Sequence, residues 1–383
     1  MDRNRRRLYS LLVDFYYGKL TEDYFEDTAY RKVYRKLYFE IFRHLSFIEK
    51  SLAPYLKKDT PVELYAALIL GASQILFMND IPDYAAVNET LNILKPKQRG
   101  FVNAVLRKII TQKDEILKNY SIYDDFPEWY VNKLKKNFGE ENLTEILYSL
   151  NNPPLNNYID LSSLTFYNYE NFEDIPAQAL PVDRASALIP LITKDLKVDK
   201  IMDACAAPGG KTVILSKIHP LAEINAFERD QNRARKLNEN VEKYKCTNVK
   251  TFNADVLKYE HLQRYDLILL DAPCSSLGTI KRHPEVRFLR NQKILIKNSI
   301  KQLKFLTTLS DFVKIGGFIL YSVCSNESEE GVQVINNFLK NKSNFEIVPV
   351  NAPDEFCLGD FFYSVPHKTE TDGFFAALLK RVA

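Results

Sequence analysis

Residues Ile201–Thr212 read IMDACAAPGGKT, and this stretch decides how the rest of the chain is interpreted. An apolar run passes into small residues, a proline and two glycines, after which a helical pattern resumes. This order predicts a β-strand, a tight loop and the N-terminus of a helix. Glycines in such a loop let backbone N–H groups approach a ligand closely. The stretch therefore predicts a ligand-binding strand–loop–helix.

Three kinds of ligand compete for this loop. Its end, Gly210-Lys211-Thr212, suggests a phosphate-binding loop, but that motif needs a glycine five residues before Gly210, where the chain has Cys205. The dinucleotide fingerprint GxGxxG is absent. A loop for S-adenosylmethionine needs an acid at the end of the next strand, about 20 residues on. Glu228 ends the predicted strand 223–228, so its spacing favours this third ligand.

The chain as a whole has 383 residues, enough for two or three domains, and contains no apolar run long enough to span a membrane. The basic start lacks the apolar core of a signal peptide, so we expect a cytoplasmic protein with no membrane partner. Five cysteines without a C-x-x-C pair argue against a disulfide framework or a zinc site, and we expect no metal. A net charge of +3 does not by itself indicate a nucleic acid.

The first 120 residues carry helical patterns and predict an all-α bundle, domain 1–120. Residues 63–78 form an apolar run that predicts a buried helix, which ends at Asn79-Asp80-Ile81-Pro82. Residues 121–185 predict a helical linker followed by a short α+β insert. Helices are expected from Phe126 to Gly139 and over 143–150, before Pro153-Pro154 starts a strand-like segment over 155–161.

Residues 186–383 alternate between short apolar strands and helices, which predicts an α/β, Rossmann-like sheet. Strands are expected at 200–204, 223–228, 249–253, 266–271, 316–323, 345–349 and 373–380, and helices at 185–194, 210–218, 230–244, 291–314 and 328–341. Ligands of such sheets bind at the carboxyl ends of the strands. Six side chains stand at or just past these ends and are expected to converge: Cys205, Glu228, Asp255, Asp271, Cys274 and Cys324.

Three motifs occur in order, each at the end of a predicted strand: DACAAPGGKT at 203–212, DAPCS at 271–275 and YSVCS at 321–325. With the terminal DGFF at 372–375, they resemble the RNA cytosine-5 methyltransferases of the NOL/Sun (Fmu) family. This resemblance implies an S-adenosylmethionine methyltransferase domain over 186–383. The cofactor contacts that we expect are Cys205, Ala206, Ala207, Pro208, Gly209, Gly210, Lys211, Glu228, Asp255 and Asp271.

Two blocks in the helical bundle, IPDYAAVNET at 81–90 and GFVNAVLR at 100–107, resemble the NusB family of small RNA-binding domains. Basic residues of the bundle would then face phosphates, although a solvated helix surface has the same pattern. These are four early arginines together with Lys95, Lys97, Arg99, Arg107 and Lys108. A NusB-like front end is similar to that of bacterial family members acting on small-subunit RNA, which implies 16S ribosomal RNA as partner. We expect a monomer that does not act on DNA.

Cytosine C5 is too weak a nucleophile to attack a methyl sulfonium directly, whereas a thiolate added to C6 makes C5 enamine-like. Position alone leaves open which cysteine attacks, because DNA methyltransferases place the nucleophile in a Pro-Cys, here Cys274. The resemblance to the RNA family implies Cys324 as nucleophile and Cys274 as the cysteine that releases the product. It implies that Asp271 contacts the cytosine edge, the methyl donor, or both.

Two basic positions have alternative interpretations. Lys211 resembles the motif lysine of the family, which would contact the cofactor or position the base, but a surface salt bridge is the simpler reading. Arg282 and His283 match the RRHP of the family and predict a loop that meets RNA phosphates.

The chain departs from the family before the sheet, with Tyr158-Ile159-Asp160 in place of Arg-Val-Asn, Val182 in place of Gln, and a short insert. Rival functions are the same chemistry on tRNA or large-subunit RNA, and a non-catalytic ribosome-assembly or antitermination factor.

Overall fold

A computed structural model describes residues 3–19, 32–260 and 263–383, apart from the side chains of Lys32 and Phe172. Residues 1–2 and 20–31 of the predicted bundle therefore lie outside the described part. The chain divides into two compact units. The first, here the helical unit, comprises Met1–Asn151 and His283–Leu289. The second, here the sheet unit, comprises Asn152–Arg282 and Arg290–Ala383.

The helices and strands are numbered here in chain order. The helices are α1 (Arg3–Tyr16), α2 (Lys32–Arg43), α3 (Leu45–Leu52), α4 (Val62–Phe77), α5 (Asp83–Leu91), α6 (Pro96–Thr111), α7 (Lys113–Lys118), α8 (Glu128–Phe138), α9 (Leu143–Asn151), α10 (Arg184–Leu191), α11 (Gly210–Ile218), α12 (Gln231–Lys243), α13 (Val286–Leu289), α14 (Gln292–Ser310), α15 (Val332–Asn341) and α16 (Pro366–Thr369). The strands are β1 (Asn157–Asp160), β2 (Phe166–Asn168), β3 (Ala179–Pro181), β4 (Lys200–Asp203), β5 (Glu223–Glu228), β6 (Val249–Asn253), β7 (Tyr265–Asp271), β8 (Val313–Val323), β9 (Phe345–Val348), β10 (Cys357–Leu358), β11 (Phe361–Ser364) and β12 (Phe374–Arg381).

The helical unit is built around α4. Every residue of this helix from Ala66 to Leu76 is buried, so it has no polar face and lies at the centre of the bundle. The other helices present apolar stripes to the same core, for example Leu8, Leu11 and Leu12 of α1. None of the described helices is long and apolar enough to cross a membrane.

A buried polar cluster extends this unit beyond residue 120. Asp125 is fully buried, and its Oδ2 accepts hydrogen bonds from Tyr120 Oη and from Asn151 Nδ2 (2.7 Å) and lies 2.9 Å from His44 Nδ1. Arg287 of the 283–289 segment is buried as well, donates to Asn151 Oδ1 (3.1 Å) and stacks over Phe126 at 4.0 Å. The predicted linker helices, α8 and α9, therefore belong to the helical unit, together with a segment far along the chain.

The sheet unit contains a nine-stranded sheet in the order β10-β11-β12-β8-β7-β4-β5-β6, with β9 paired to β12. The pairs from β8 to β6 are parallel, whereas β12 runs antiparallel to β8. Helices connect β4 to β5, β5 to β6 and β7 to β8, and because these strands are parallel, the carboxyl ends of β4, β5, β7 and β8 share one edge. This confirms the predicted fold class, a Rossmann-like sheet preceded by a helical bundle.

The insert forms a three-stranded antiparallel sheet, β2-β1-β3. The predicted strand-like segment 155–161 contains β1, while β2 and β3 were not predicted, because strands of three residues leave little alternation to detect. On β1, Tyr158 stacks on Tyr167 with ring centres 5.3 Å apart. The departure from Arg-Val-Asn thus replaces a basic position with an aromatic pair.

Candidate active site

The motif loop connects β4 to α11 and is held by its neighbours. Gly209 has φ +110°, a left-handed conformation that other residues rarely adopt, and an added Cβ would lie 3.0 Å from Leu237 Cδ1. Ala206 N donates to Phe227 O (2.9 Å), and Arg233 donates to Ala207 O (2.8 Å). The loop therefore has a fixed course against β5 and α12.

A cavity of about 360 Å³ opens beside this loop at the carboxyl ends of the strands. Of the predicted cofactor residues, Cys205, Glu228 and Asp255 line it. Its other lining residues are Ala204, Phe227, Arg229, Arg233, Ala254, Val256, Leu257, Pro273, Lys301, Lys304 and Phe305. The remaining predicted contacts, Ala206 to Lys211 and Asp271, are not among these lining residues. The apolar wall residue Phe305 lies in α14, too far along the chain for any motif to indicate it.

The carboxylate of Glu228 lies at the end of β5, where the spacing predicts it. Its side chain is largely buried, and Oε1 accepts a hydrogen bond from Asp230 N (2.8 Å), while Oε2 lies 3.9 Å from Arg233 Nε. The hydrogen bond from its own chain holds the carboxylate at the wall of the cavity. A polar group of a ligand there would meet a prepositioned acceptor.

Lys211 and Asp271 form an ion pair next to the cysteines. Lys211 Nζ donates to Asp271 Oδ2 (2.7 Å), and Ser322 Oγ donates to the other oxygen, Oδ1 (2.7 Å). Only 11% of the lysine side chain is exposed, so this is not a surface salt bridge. Burial lowers the pKa of Lys211, but the Asp271 carboxylate outweighs it and the net pKa is raised. The lysine stays charged at the site.

Cys274 and Cys324 follow adjacent strands, and their sulfurs are 3.0 Å apart. Both are reduced and half-buried. A hydrogen bond from the Cys274 thiol lowers the pKa of Cys324, and Ser276 Oγ at 3.6 Å and Lys211 act in the same direction. The same bond raises the pKa of Cys274, as do burial and the charge of Glu330. The geometry favours a thiolate on Cys324 and a thiol on Cys274.

Glu330 was not predicted as a site residue. It is completely buried and accepts hydrogen bonds from Ser275 N (2.8 Å), Ser275 Oγ, Asn298 Nδ2 (3.1 Å) and Gln302 Nε2 (3.2 Å). Gln302 donates to Pro273 O, and Arg290 donates to Ser275 O (2.7 Å). The turn that carries Cys274 is thus tied to α14 and to the segment after β8.

A buried acid, Asp203, and a half-buried thiol, Cys205, also lie at the motif loop. Thr212 Oγ1 donates to Asp203 Oδ2 (2.7 Å), and burial raises the pKa of Asp203 to about 7. Sequence reasoning missed Asp203, although it begins the motif. Burial is the main cause that raises the pKa of Cys205, and the negative charges of Asp203 and Asp271 raise it further. A thiol that stays protonated fits a packing role rather than acid–base chemistry.

The expectation that Arg282 and His283 form a loop that meets RNA phosphates stays a prediction. The Arg282 guanidinium is engaged within the sheet unit, by Asp372 Oδ2 (2.7 Å), Asp183 Oδ2 (3.3 Å) and Leu155 O (3.1 Å). Two carboxylates neutralise its charge, so it links the insert to the terminal strand. His283 lies in the helical unit, with Nδ1 3.4 Å from Glu285 Oε1. The partners of Arg282 lie 90 or more residues away, so the local sequence does not reveal them.

We expect iodoacetamide to modify Cys324 faster than the other cysteines when the pH is lowered towards 7. A lowered pKa keeps the reactive thiolate populated at lower pH, whereas the pKa values of Cys274, Cys205 and Cys357 are raised. Peptide mapping by mass spectrometry over a pH series measures this order. Cys357 is a half-buried internal control, and its modification ahead of Cys324 near neutral pH would contradict the assignment.

Comparisons with known proteins agree with this geometry. Residues 191–380 match the model of the family described as 16S rRNA methyltransferase RsmB/F, and residues 11–111 match the NusB family. The ribosomal RNA small subunit methyltransferase B of Photorhabdus laumondii is 29% identical over 361 residues, which cover 83% of this chain and 82% of that protein.

Two solved structures share the fold. PH0851 has a TM-score of 0.77 at 22% identity, with 100% of this chain and 99% of that chain covered. NSun6 from Pyrococcus horikoshii, solved with SFG, has a TM-score of 0.58 at 19% identity, with 67% of this chain and 99% of that chain covered. The resemblance drawn from the three motifs and from the bundle is confirmed. The chain belongs to the 16S rRNA methyltransferase RsmB/F family and carries a NusB-family domain ahead of its methyltransferase domain.

Proposed function

We propose that this protein transfers a methyl group from S-adenosylmethionine to C5 of a cytosine in RNA, through a covalent bond between Cys324 and C6. The observation that carries the proposal is the pair of sulfurs 3.0 Å apart, with a buried Lys211–Asp271 ion pair beside them. A single cysteine would serve many chemistries. Two cysteines whose pKa values are shifted in opposite directions suit a reaction that both makes and breaks a thioether.

The cavity fits the cofactor. Its volume of about 360 Å³ lies within the usual range for small-molecule sites, roughly 300–1,000 Å³. Glu228 would accept hydrogen bonds from the ribose hydroxyls, and Val256, Leu257 and Phe305 would pack against the purine. No heavy atom lies within 4 Å of a Cβ built on Gly210, so the loop leaves room for a close approach. When bound, S-adenosylmethionine supplies the electrophilic methyl group.

Cys324 would act first. Its thiolate adds to C6, and the electron pair of the C5–C6 double bond moves so that C5 becomes nucleophilic. Lys211 and Asp271 lie at the same strand edge, where they would stabilise charge that develops on the ring and orient its polar edge. After C5 has gained the methyl group, its proton passes to water, the electron pair of the C5–H bond re-forms the C5–C6 double bond, and Cys324 leaves C6 as a thiolate. Cys274, whose thiol contacts the Cys324 sulfur, is the residue we assign to this release.

The RNA substrate follows from the family rather than from the pocket. Relatives are named for small-subunit ribosomal RNA, so we propose 16S rRNA as the partner, met where ribosomal subunits are assembled, in the cytoplasm. The basic residues of the NusB-family domain would contact phosphates. A non-catalytic assembly factor would have no need to keep both cysteines, the Lys211–Asp271 pair and the open cavity.

Substitution of Glu228 tests the cofactor assignment. We expect Glu228→Ala to weaken binding of S-adenosylmethionine by about 1.5–3 kcal/mol, the scale of a hydrogen bond to a charged group. Titration calorimetry without RNA measures this. Glu223→Ala is the matched control, because Glu223 starts the same strand and pairs on the surface with Lys250 (3.1 Å). Heat with ATP and none with S-adenosylmethionine or its product would assign the loop to phosphate instead.

Paired substitution of the two cysteines tests the mechanism. We expect Cys324→Ala to form no covalent adduct and to lose turnover to background, since no thiolate attacks C6. We expect Cys274→Ala to methylate once and then stall, which traps protein on RNA as a denaturant-resistant complex. A denaturing gel with labelled 16S rRNA fragments compares the two variants with Cys246→Ala, a buried cysteine outside the site. If the complex forms with Cys324→Ala instead, the roles are exchanged.

A further inference from the structure

We propose that Glu330 is the positioning residue that gives Cys274 and Cys324 their different roles. The roles themselves rest on the proposed function, but the difference between the two sulfurs does not. Glu330 follows Cys324 by six residues and lies under the turn that carries Cys274. No motif identified it, because its hydrogen-bond donors come from two distant segments, the turn at Ser275 and helix α14.

The hydrogen bonds of Glu330 fix both sides of Cys274. On the far side, its carboxylate accepts from the backbone N–H and the hydroxyl of Ser275. On the near side, Gln302 bridges the carboxylate and Pro273 O (3.2 and 3.0 Å). Because hydrogen bonds hold the residues before and after Cys274, its side chain is directed at the Cys324 sulfur, 3.0 Å away. Four donors directed at one carboxyl group also match an ionised carboxylate, which can only accept.

The charges around the sulfurs are arranged unequally. Cys324 faces Lys211 and the Ser276 hydroxyl, with Asp271 as the opposing charge. Cys274 faces Glu330, with the buried Tyr321 phenol nearby. Arg290 interacts with both Glu330 and Cys324. The negative charge of Glu330 adds to the hydrogen bond with Cys324 and to burial, which together raise the pKa of Cys274 and favour its thiol form.

The test is alkylation of the RNA-free full-length protein with iodoacetamide across a pH series. In Glu330→Gln, the neighbouring negative charge is gone while the side-chain shape remains. We expect the labelling of Cys274 relative to Cys324 to rise by at least about threefold near neutral pH, since a shift of one pKa unit changes the thiolate fraction tenfold. The matched control is Glu327→Gln, a buried glutamate of the same segment, which we expect to leave the ratio unchanged. An unchanged ratio in a folded Glu330→Gln protein overturns the proposal.

If Glu330→Gln fails to fold, Arg290→Met is a second variant, which should change the alkylation of the two cysteines in the opposite direction. Removing this cation leaves Glu330 uncompensated, so Cys324 should need a higher pH for alkylation and Cys274 should stay protected. Alkylation of Cys274 in Arg290→Met would overturn the proposal. The two failures can be told apart, because alkylation needs no RNA. If the labelling shifts but the wild-type protein forms no RNA adduct, the proposed function fails and the role of Glu330 stands.

A second inference rests on a different surface, the α14 lysine face. It is made of exposed side chains along one side of α14: Lys293, Ile296, Lys297, Ile300, Lys301 and Lys304. Residues 291–310 contain four lysines and no acid, in a chain with 49 acids and a net charge of only +3. Among residues 3–19, 32–260 and 263–383, no carboxylate forms an ion pair with these lysines.

The same helix contacts the catalytic turn on another side. Asn298 and Gln302 reach Glu330, and Gln302 reaches Pro273 O. Lys301 and Lys304 border the cofactor cavity. Pro273, next to Cys274 in the chain, lines the same cavity, so a polyanion on this face would run close to the turn that carries Cys274. We infer that the α14 lysine face binds the phosphates of the RNA strand that carries the target cytosine, which deepens the proposed function.

The test compares two triple variants by their RNA affinity over a series of salt concentrations. Lys293→Gln/Lys297→Gln/Lys301→Gln should reduce the slope of log affinity against log salt by about 2, at roughly 0.7 per phosphate contact on a single strand. The matched control, Lys194→Gln/Lys197→Gln/Lys340→Gln, removes three exposed lysines of the same unit and should leave the slope nearly unchanged. Equal slopes for both variants overturn this inference. If the wild-type protein itself shows no salt-dependent binding to 16S rRNA fragments, the proposed substrate fails first.

Discussion

The pairing of Asp271 with Ser322 across β7 and β8 is the constraint on which the site depends. These residues are partners in the parallel register, and the Ser322 hydroxyl also donates to the Asp271 carboxylate. Cys274 and Cys324 follow that pair by three and two residues, so the register brings the two turns that carry them together. A shift of one residue in register would direct alternate side chains to the opposite face of the sheet. The 3.0 Å between the sulfurs is therefore set by backbone hydrogen bonds rather than by the cysteines.

Charges buried around this register are held in compensating sets. Lys211 balances Asp271, Arg282 balances Asp183 and Asp372, and Glu330 is surrounded by donors. An unpaired charge at such depth costs several kcal/mol, so each set restricts where its members can move. The result is a site with little conformational freedom, in which electrostatic differences between neighbouring groups persist. Because of that rigidity, Cys274 and Cys324 keep different pKa values although they are chemically identical and in contact.

The sequence predicted those features whose cause is local. Apolar strands, the glycine turn and acids at strand ends follow from short-range patterns, and β4, β5 and β7 lie within a residue or two of their expected limits. Glu330 escaped detection because its four donors come from residues 275, 298 and 302, a relation that only the folded sheet creates. The partners of Arg282 escaped detection for the same reason. The local sequence does not show that Arg282 donates hydrogen bonds to Asp183 and Asp372, because these acids are 99 and 90 residues away in the chain.

The membership of residues 283–289 in the helical unit has a consequence for synthesis of the chain. Arg287 fills a buried place there, where Asp125 O and Asn151 Oδ1 receive its hydrogen bonds and Phe126 lies under its guanidinium. A ribosome delivers those acceptors more than a hundred residues before it delivers Arg287. Domains of a nascent chain ordinarily fold as units, from the N-terminus onwards. Here the core of the N-terminal unit is complete only after translation has passed the strand and turn that carry Asp271 and Cys274.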